Sequence, residues 1–337
     1  PGFWTGTQAE YFKLYEYAAR GVKSVNSAYK VGGPATAGAA WVPETIEFAN
    51  KNKVALDFIS THTYGVNQGF LDEFGTTGTV LNKDDNSVSG DVINSRKQIS
   101  ESVMPKLELH YTEWSSSYTP ADPIHDSYHS AAYILQKLKQ VGNAANSISY
   151  WVFTDIFEEP GPRFTAFHGG FGLVNTQGIK KAAYFSYDYM NKLGTIELQN
   201  TDKSSWATKD ENGDVQVLFW DYTYTLPDAI NNQQYYVQDL PSKPKGKVKV
   251  EISDLKKGKY ILDLYKVGYG VNDAYTAYIK MNKPSQLSLE QVKKLKKVSN
   301  GNPIATETIE VGENGIFSKE LNLNENDVFL VNLVKQK

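Results

Sequence analysis

Leu107-Glu108-Leu109-His110-Tyr111-Thr112-Glu113-Trp114 reads as a buried strand that ends in a carboxylate. A helical pattern over 91–104 leads into it. Polar Ser115 to Ser117 and Tyr118-Thr119-Pro120 come after it, and a second helical pattern over 126–141 stops near Gly142. A strand between two helices is the repeating unit of a parallel sheet, and the first 194 residues repeat it. Residues 8–28 place Tyr11, Phe12, Leu14, Tyr15, Ala18, Ala19 and Val22 near a helical period. Lys30 to Ala35 is a short strand stopped by glycine and proline. A helix over 41–52, a buried strand from Val54 to His62 and a polar loop over 66–90 come next. The strand Ser147 to Phe153 and a helix over 180–193, ending before Gly194, complete the pattern. The fold class is therefore α/β, with a parallel sheet covered by helices. Reactive groups in such folds gather at the C-terminal ends of strands, where His62, Glu113 and Asp155 to Glu159 all fall.

After Gly194 the pattern changes. Alternating runs at 215–222, 247–252, 259–267, 275–281, 305–311 and 327–334 predict an all-β sandwich, with 286–297 its only helix. The expected domains are thus 1–194 and 195–337.

Composition narrows the function classes. Thirty-five basic residues against 38 acidic ones leave a net charge of −3, which gives no electrostatic footprint for nucleic acid. No stretch approaches the ~18 apolar residues of a membrane span. With no cysteine, disulfides, thiol catalysis and cysteine-bound zinc are excluded. The compartment stays open, since exported and periplasmic bacterial enzymes also often lack cysteine. Twenty-two tyrosines and six tryptophans suit stacking on sugar rings, and equally suit a tyrosine-rich β domain.

Glu113, flanked by Tyr111 and Trp114, fits a nucleophile or base acting on a sugar, and equally a salt-bridged structural glutamate. Trp151-Val152-Phe153-Thr154-Asp155-Ile156-Phe157-Glu158-Glu159 crowds carboxylates and aromatics into one strand end. Ionised Glu158 and Glu159 would accept hydrogen bonds from sugar hydroxyls, or form an exposed acidic loop. His62, with Tyr64 two positions on, would donate to a sugar or serve the fold. His125, Asp126 and His129 share a helix face, a weak metal pattern; Asp126 equally suits a helix start. Phe167-His168-Gly169-Gly170-Phe171-Gly172 lacks the context of a phosphate loop and reads as a sharp loop carrying His168. No Gly-x-Ser-x-Gly nucleophile motif occurs.

In order along the chain, several of these segments resemble glycoside hydrolase family 39. They are His110-Tyr111-Thr112-Glu113 with Ser117-Tyr118-Thr119-Pro120, Asp122-Pro123-Ile124-His125-Asp126, Ser149-Tyr150-Trp151 and Phe167 to Leu173. Asn272-Asp273-Ala274-Tyr275 and Leu289-Glu290-Gln291-Val292 resemble the family's C-terminal domain. The resemblance implies the C-terminal half of a (β/α)8 TIM barrel followed by a β-sandwich. It implies a retaining glycosidase of the β-xylosidase or α-L-iduronidase kind, without cofactor or metal, acting most simply on β-linked xylose. Glu113 would be the nucleophile on the seventh barrel strand, and His62, Tyr64, Tyr118, Trp151, Glu158, Glu159 and His168 would line the sugar pocket.

The family's acid/base glutamate lies in an Asn-Glu-Pro-Asn motif after the fourth strand, and Pro1-Gly2-Phe3-Trp4 resembles the residues immediately after that motif. The expectation is a C-terminal piece, processed or cut, whose barrel is completed by a separate chain or an N-terminal segment. Alone it should be inactive, because general acid catalysis contributes about 10² to 10⁴-fold. The rival expectation is a carbohydrate-binding or structural fragment that cleaves nothing.

Overall fold

The computed structural model describes residues 4–67, 78–157, 161 and 163–336. By contact the chain divides into two units: Pro1–Gly65, Asp84–Ser115 and Gln140–Trp151 form one, and Val66–Lys83, Ser116–Lys139 and Val152–Lys337 the other. In chain order the N-terminal elements are α1 (Gln8–Val25), β1 (Gly32–Pro34), α2 (Val42–Asn52), β2 (Phe58–Tyr64) and the short pair β3 (Val66–Asn67) and β4 (Val80–Leu81). Then come α3 (Ser89–Ser100), β5 (Glu108–Ser115), α4 (His129–Val141) and β6 (Ser147–Tyr150).

The first unit is built on a four-stranded parallel sheet in the order β1-β2-β5-β6. α1 starts at a reciprocal cap, in which the Thr7 hydroxyl accepts from the Glu10 amide and the Glu10 carboxylate accepts from the Thr7 amide. One face of the sheet is covered by helices. Ile59, Leu109 and Tyr111 pack with Tyr15 and Ala19 of α1, Val42, Ile46 and Ala49 of α2, and Val92 and Ile99 of α3. Alternation then sends Phe58, His62 and Tyr64 of β2 and His110 of β5 to the opposite face. There the Phe58 and His110 rings meet edge to face at 5.5 Å.

The second unit continues with α5 (Ala182–Met190), β7 (Ile196–Glu197), β8 (Ser205–Lys209), β9 (Val215–Trp220), α6 (Asn232–Tyr235), β10 (Pro244–Ile252) and β11 (Gly258–Val267). It ends with α7 (Ala274–Lys280), α8 (Leu289–Val298), β12 (Ala305–Val311), β13 (Phe317–Asn324) and β14 (Val328–Lys335). A six-stranded sheet runs β12-β11-β14-β9-β8-β7, and β10 and β13 form a separate antiparallel pair. β14 lies inside that sheet and is apolar on both faces. Phe329, Val331 and Leu333 share a core with Val250, Ile252 and Phe317 of the strand pair. Val328 and Leu330 instead meet Ala131, Ala132 and Leu135 of α4 and Phe185 and Tyr189 of α5.

Several expectations need correction. The run 275–281 is no strand but α7, and 286–297 is not the only helix after Gly194, since α6 and α7 join α8. Asp273 caps α7 by accepting from the Thr276 amide at 3.0 Å, and Tyr275 and Tyr278 then share a face against Phe167. A seven-residue apolar-rich run fits either period, and the cap decides it. The strands β7, β8 and β13 add to those expected. The helix expected over 126–141 begins at His129, after a 3₁₀ turn over Pro123–His125. Of the expected 66–90 loop, residues 68–77 lie outside the described residues; the described part holds β3 and β4, and α3 already starts at Ser89. Among the described residues no helix is long and apolar enough to cross a membrane.

At the start of α4 the His129 ring lies 4.1 Å from that of Tyr128 and 5.3 Å from that of Tyr236, with Nδ1 2.7 Å from the Ser127 hydroxyl. Burial lowers its pKa from 6.5 to about 3. The folded state therefore refuses a proton that the unfolded state takes up. Stability from this group is complete above pH 6.5 and falls as pH drops toward the folded value, with a slope of about 1.4 kcal/mol per pH unit. Urea denaturation of wild type and His129→Phe between pH 7 and pH 4 should show the gap between them closing at about that slope. A constant gap would refute a buried neutral imidazole.

Candidate active site

Strict alternation along β5 would send Glu113 into the helix-packed core after Leu109 and Tyr111. The pairing prevents this. Thr61 of β2 lies opposite Tyr111 but the next residue, His62, lies opposite Glu113, and the β5–β6 register slips over the same stretch. A bulge at Thr112 thus resets the phase and puts Glu113 on the open face. There the Tyr64 hydroxyl donates to Glu113 Oε2 at 2.7 Å, and His62 Nδ1 lies 3.5 Å from the same oxygen. His62 Nε2 lies 3.0 Å from the Thr112 hydroxyl. Burial depresses the His62 pKa and the Glu113 charge offsets part of this, so the neutral ring is favoured relative to a free imidazole. About a quarter of the Glu113 side chain is exposed (26%).

The neighbours expected to flank Glu113 do not. Trp114 is fully buried, edge to face with Tyr150 at 5.7 Å, and Tyr111 is buried with its hydroxyl 2.9 Å from that of Ser95. Neither offers a face to a sugar. β6 ends at Tyr150, and half-buried Trp151 comes next, its amide donating to the Trp114 carbonyl at 2.9 Å. Of the proposed pocket residues, His62, Tyr64 and Trp151 therefore share the unit of Glu113. Tyr118 and His168 belong to the other unit, Tyr118 half exposed and His168 with Nδ1 3.2 Å from the Thr165 carbonyl oxygen. Glu158 and Glu159 lie outside the described residues.

In the second unit, residues 152–155 pair with 171–174: the amide of Val174 donates to Phe153 and that of Asp155 to Val174. Gly169, Gly170 and Gly172 mask this strand-like pairing in the sequence. Two of those glycines are required. Gly169 has φ +77°, and a Cβ on it or on Gly172 would lie within 2.5 Å of backbone atoms.

The loop is held by Lys181, a residue that sequence reasoning does not single out. Its fully buried ammonium lies 2.6 Å from Asp126 Oδ1 and 2.8 Å from Asp155 Oδ2, and donates to the Gly170 carbonyl at 2.9 Å. Asp126 and Asp155 also accept from the Gly169 and Gly172 amides at 2.6 and 2.7 Å. Burial, reinforced by Asp155, raises the Asp126 pKa against the pull of Lys181. Burial works to lower that of Lys181, but Asp126 and Asp155 outweigh it and hold it up.

The metal pattern is not realised. His125 is buried with its ring nitrogens 2.8 Å from the Gly169 carbonyl oxygen and 3.1 Å from that of Ser117, and His129 is buried against the Tyr128 and Tyr236 rings. Among the described residues no cluster of three or more His, Asp or Glu is arranged to hold a metal.

The family Glycosyl hydrolases family 39 matches residues 2–315. A β-xylosidase of Caldicellulosiruptor saccharolyticus is 43% identical over 205 residues, 60% of this chain and 41% of that protein. A β-xylosidase of Geobacillus stearothermophilus is 36% identical over 222 residues, 65% of this chain and 44% of that protein. The solved structure of a monomeric β-xylosidase from Caulobacter crescentus CB15 superimposes with a TM-score of 0.96 at 42% identity, covering 100% of this chain and 68% of the other. The matched part spans less than half the length of these curated relatives.

Replacing Lys181 by Met would leave two buried carboxylates facing each other. The expected cost is about 3–5 kcal/mol, read as a lowered denaturation midpoint, and adding Asp126→Asn should recover part of it. A loss below about 1 kcal/mol, the range of an exposed pair, would show that the cluster does not anchor the loop.

Proposed function

The chain belongs to the glycosyl hydrolases of family 39, and from that membership we propose that it carries the nucleophile of a retaining glycosidase. Glu113 is that nucleophile. The hydrogen bond from Tyr64 to its Oε2 on an open sheet face, at the C-terminal end of a parallel strand, is the observation that carries the reading. With Oε2 engaged by Tyr64 and approached by His62, Oε1 is the oxygen that attacks the anomeric carbon. The C–O bond to the leaving group breaks as the ester forms, and water then cleaves the ester with net retention. In this proposal Trp151, His62 and Tyr64 contact the sugar; Tyr118, Glu158, Glu159 and His168 are the further sugar-binding residues that the family resemblance implies.

Retention requires a second carboxyl about 5–5.5 Å from the first. The other carboxylate of β5, Glu108, stands five residues earlier, roughly 16 Å along the strand, and is paired with Lys30. It cannot reach. The proton donor in this proposal is the glutamate of the Asn-Glu-Pro-Asn motif that the family resemblance implies. In this reading residues 1–194 are the C-terminal half of the (β/α)8 barrel and 195–337 a β-sandwich. The β-xylosidases among its relatives favour a terminal β-linked xylose as the sugar released.

In the completed enzyme, Glu113→Gln should lower kcat for an aryl β-xyloside by at least about 10⁴-fold. A 2-deoxy-2-fluoroxyloside with an activated leaving group should label the peptide containing Glu113, seen by mass spectrometry. Unchanged turnover, or a label on another carboxylate, would end the nucleophile assignment.

A further inference from the structure

The bulge that turns Glu113 outward also leaves Thr112 beside the same histidine. His62 therefore meets two β5 residues with its two ring nitrogens: Nε2 lies 3.0 Å from Thr112 Oγ1, and Nδ1 lies 3.5 Å from Glu113 Oε2. These contacts are not independent. A neutral imidazole carries one N–H and one lone pair, and the partner of one nitrogen sets the role of the other. An ionised carboxylate only accepts, whereas a threonine hydroxyl either donates or accepts.

For the neutral ring only one assignment suits all three groups. With the proton on Nε2, the hydroxyl would accept, and the Nδ1 lone pair would face a carboxylate oxygen. With the proton on Nδ1, an N–H faces the carboxylate and the hydroxyl donates to the Nε2 lone pair. We propose that Thr112 is a positioning residue whose hydroxyl donates to His62 Nε2, fixing the Nδ1–H tautomer and presenting an N–H to the carboxylate of Glu113. The catalytic meaning rests on Glu113 being the nucleophile; the tautomer does not. Valine has nearly the shape of threonine and fits the exposed site, but supplies no proton to Nε2. Serine keeps the hydroxyl and loses only a methyl.

The test is made on the full chain with ¹⁵N-labelled histidine, assigning the His62 signals by their loss in His62→Gln. Wild type and Thr112→Ser are expected to show the Nδ1–H pattern in two-bond ¹H–¹⁵N spectra at pH 8, and Thr112→Val to shift toward Nε2–H. In the completed enzyme, fluoroxyloside labelling of Glu113 should slow about threefold to tenfold in Thr112→Val and recover in Thr112→Ser. An Nε2–H ring in wild type, or an unchanged Nδ1–H ring in Thr112→Val, overturns the proposal. If the tautomers behave as expected while wild-type Glu113 takes no label, the nucleophile reading fails and the tautomer assignment stands.

Discussion

The two-residue period of β5 is the constraint on which the site depends. Leu107, Leu109 and Tyr111 follow that period into the helix-packed core, so Glu113 without interruption would be an ionised group among apolar side chains. One extra residue changes the outcome. The bulge at Thr112 puts two polar residues on the open face in succession and returns Trp114 to the buried face opposite Tyr150. The carboxylate gains a hydroxyl donor from β2, and the tryptophan takes over the burial. Stability and chemistry here are satisfied by the same irregularity.

The second unit solves a different problem, that of holding a glycine-rich loop still. Gly169 and Gly172 approach neighbouring backbone too closely for any side chain, so packing by side chains cannot fix them. Charge does it instead. The Lys181 ammonium has three protons and three directions to satisfy: Asp126, Asp155 and the Gly170 carbonyl. Each aspartate in turn accepts from a loop amide. Three segments distant in sequence are thereby joined through one cation, at a desolvation cost that only complete pairing offsets.

Much of this is legible in the residues, and the omissions have physical reasons. The parallel sheet follows from helix and strand periods, and Glu113, His62 and Tyr64 from their place at strand ends. The bulge leaves a trace too: apolar residues stand at 107, 109, 111 and 114, and the step of three marks it. Lys181 gives no local signal, because its partners lie 26 and 55 positions away and a lone lysine reads as surface. α7 reads as a strand because a seven-residue run carries too few turns to declare a period. Trp114 escapes the expected role because adjacency in a strand means opposite faces, not a shared one.

The two sets of carboxylates differ in the charge of what holds them, and this bears on which can react. Asp126 and Asp155 face an ammonium. Turning either into a neutral ester would leave that buried cation short of its compensating charge, a change that costs about 3–5 kcal/mol when one partner of such a pair is removed. Glu113 accepts from the Tyr64 phenol, and the imidazole 3.5 Å away has its pKa depressed by burial. When its charge disappears, neutral donors lose only the charge-assisted part of their hydrogen bonds, a smaller penalty of order 1 kcal/mol each. A carboxylate that must alternate between anion and ester is better served by such partners. Geometry alone would make all three carboxylates well-ordered acceptors; what separates them is the charge of their surroundings, a phenol donor at Glu113 and a shared ammonium at Asp126 and Asp155.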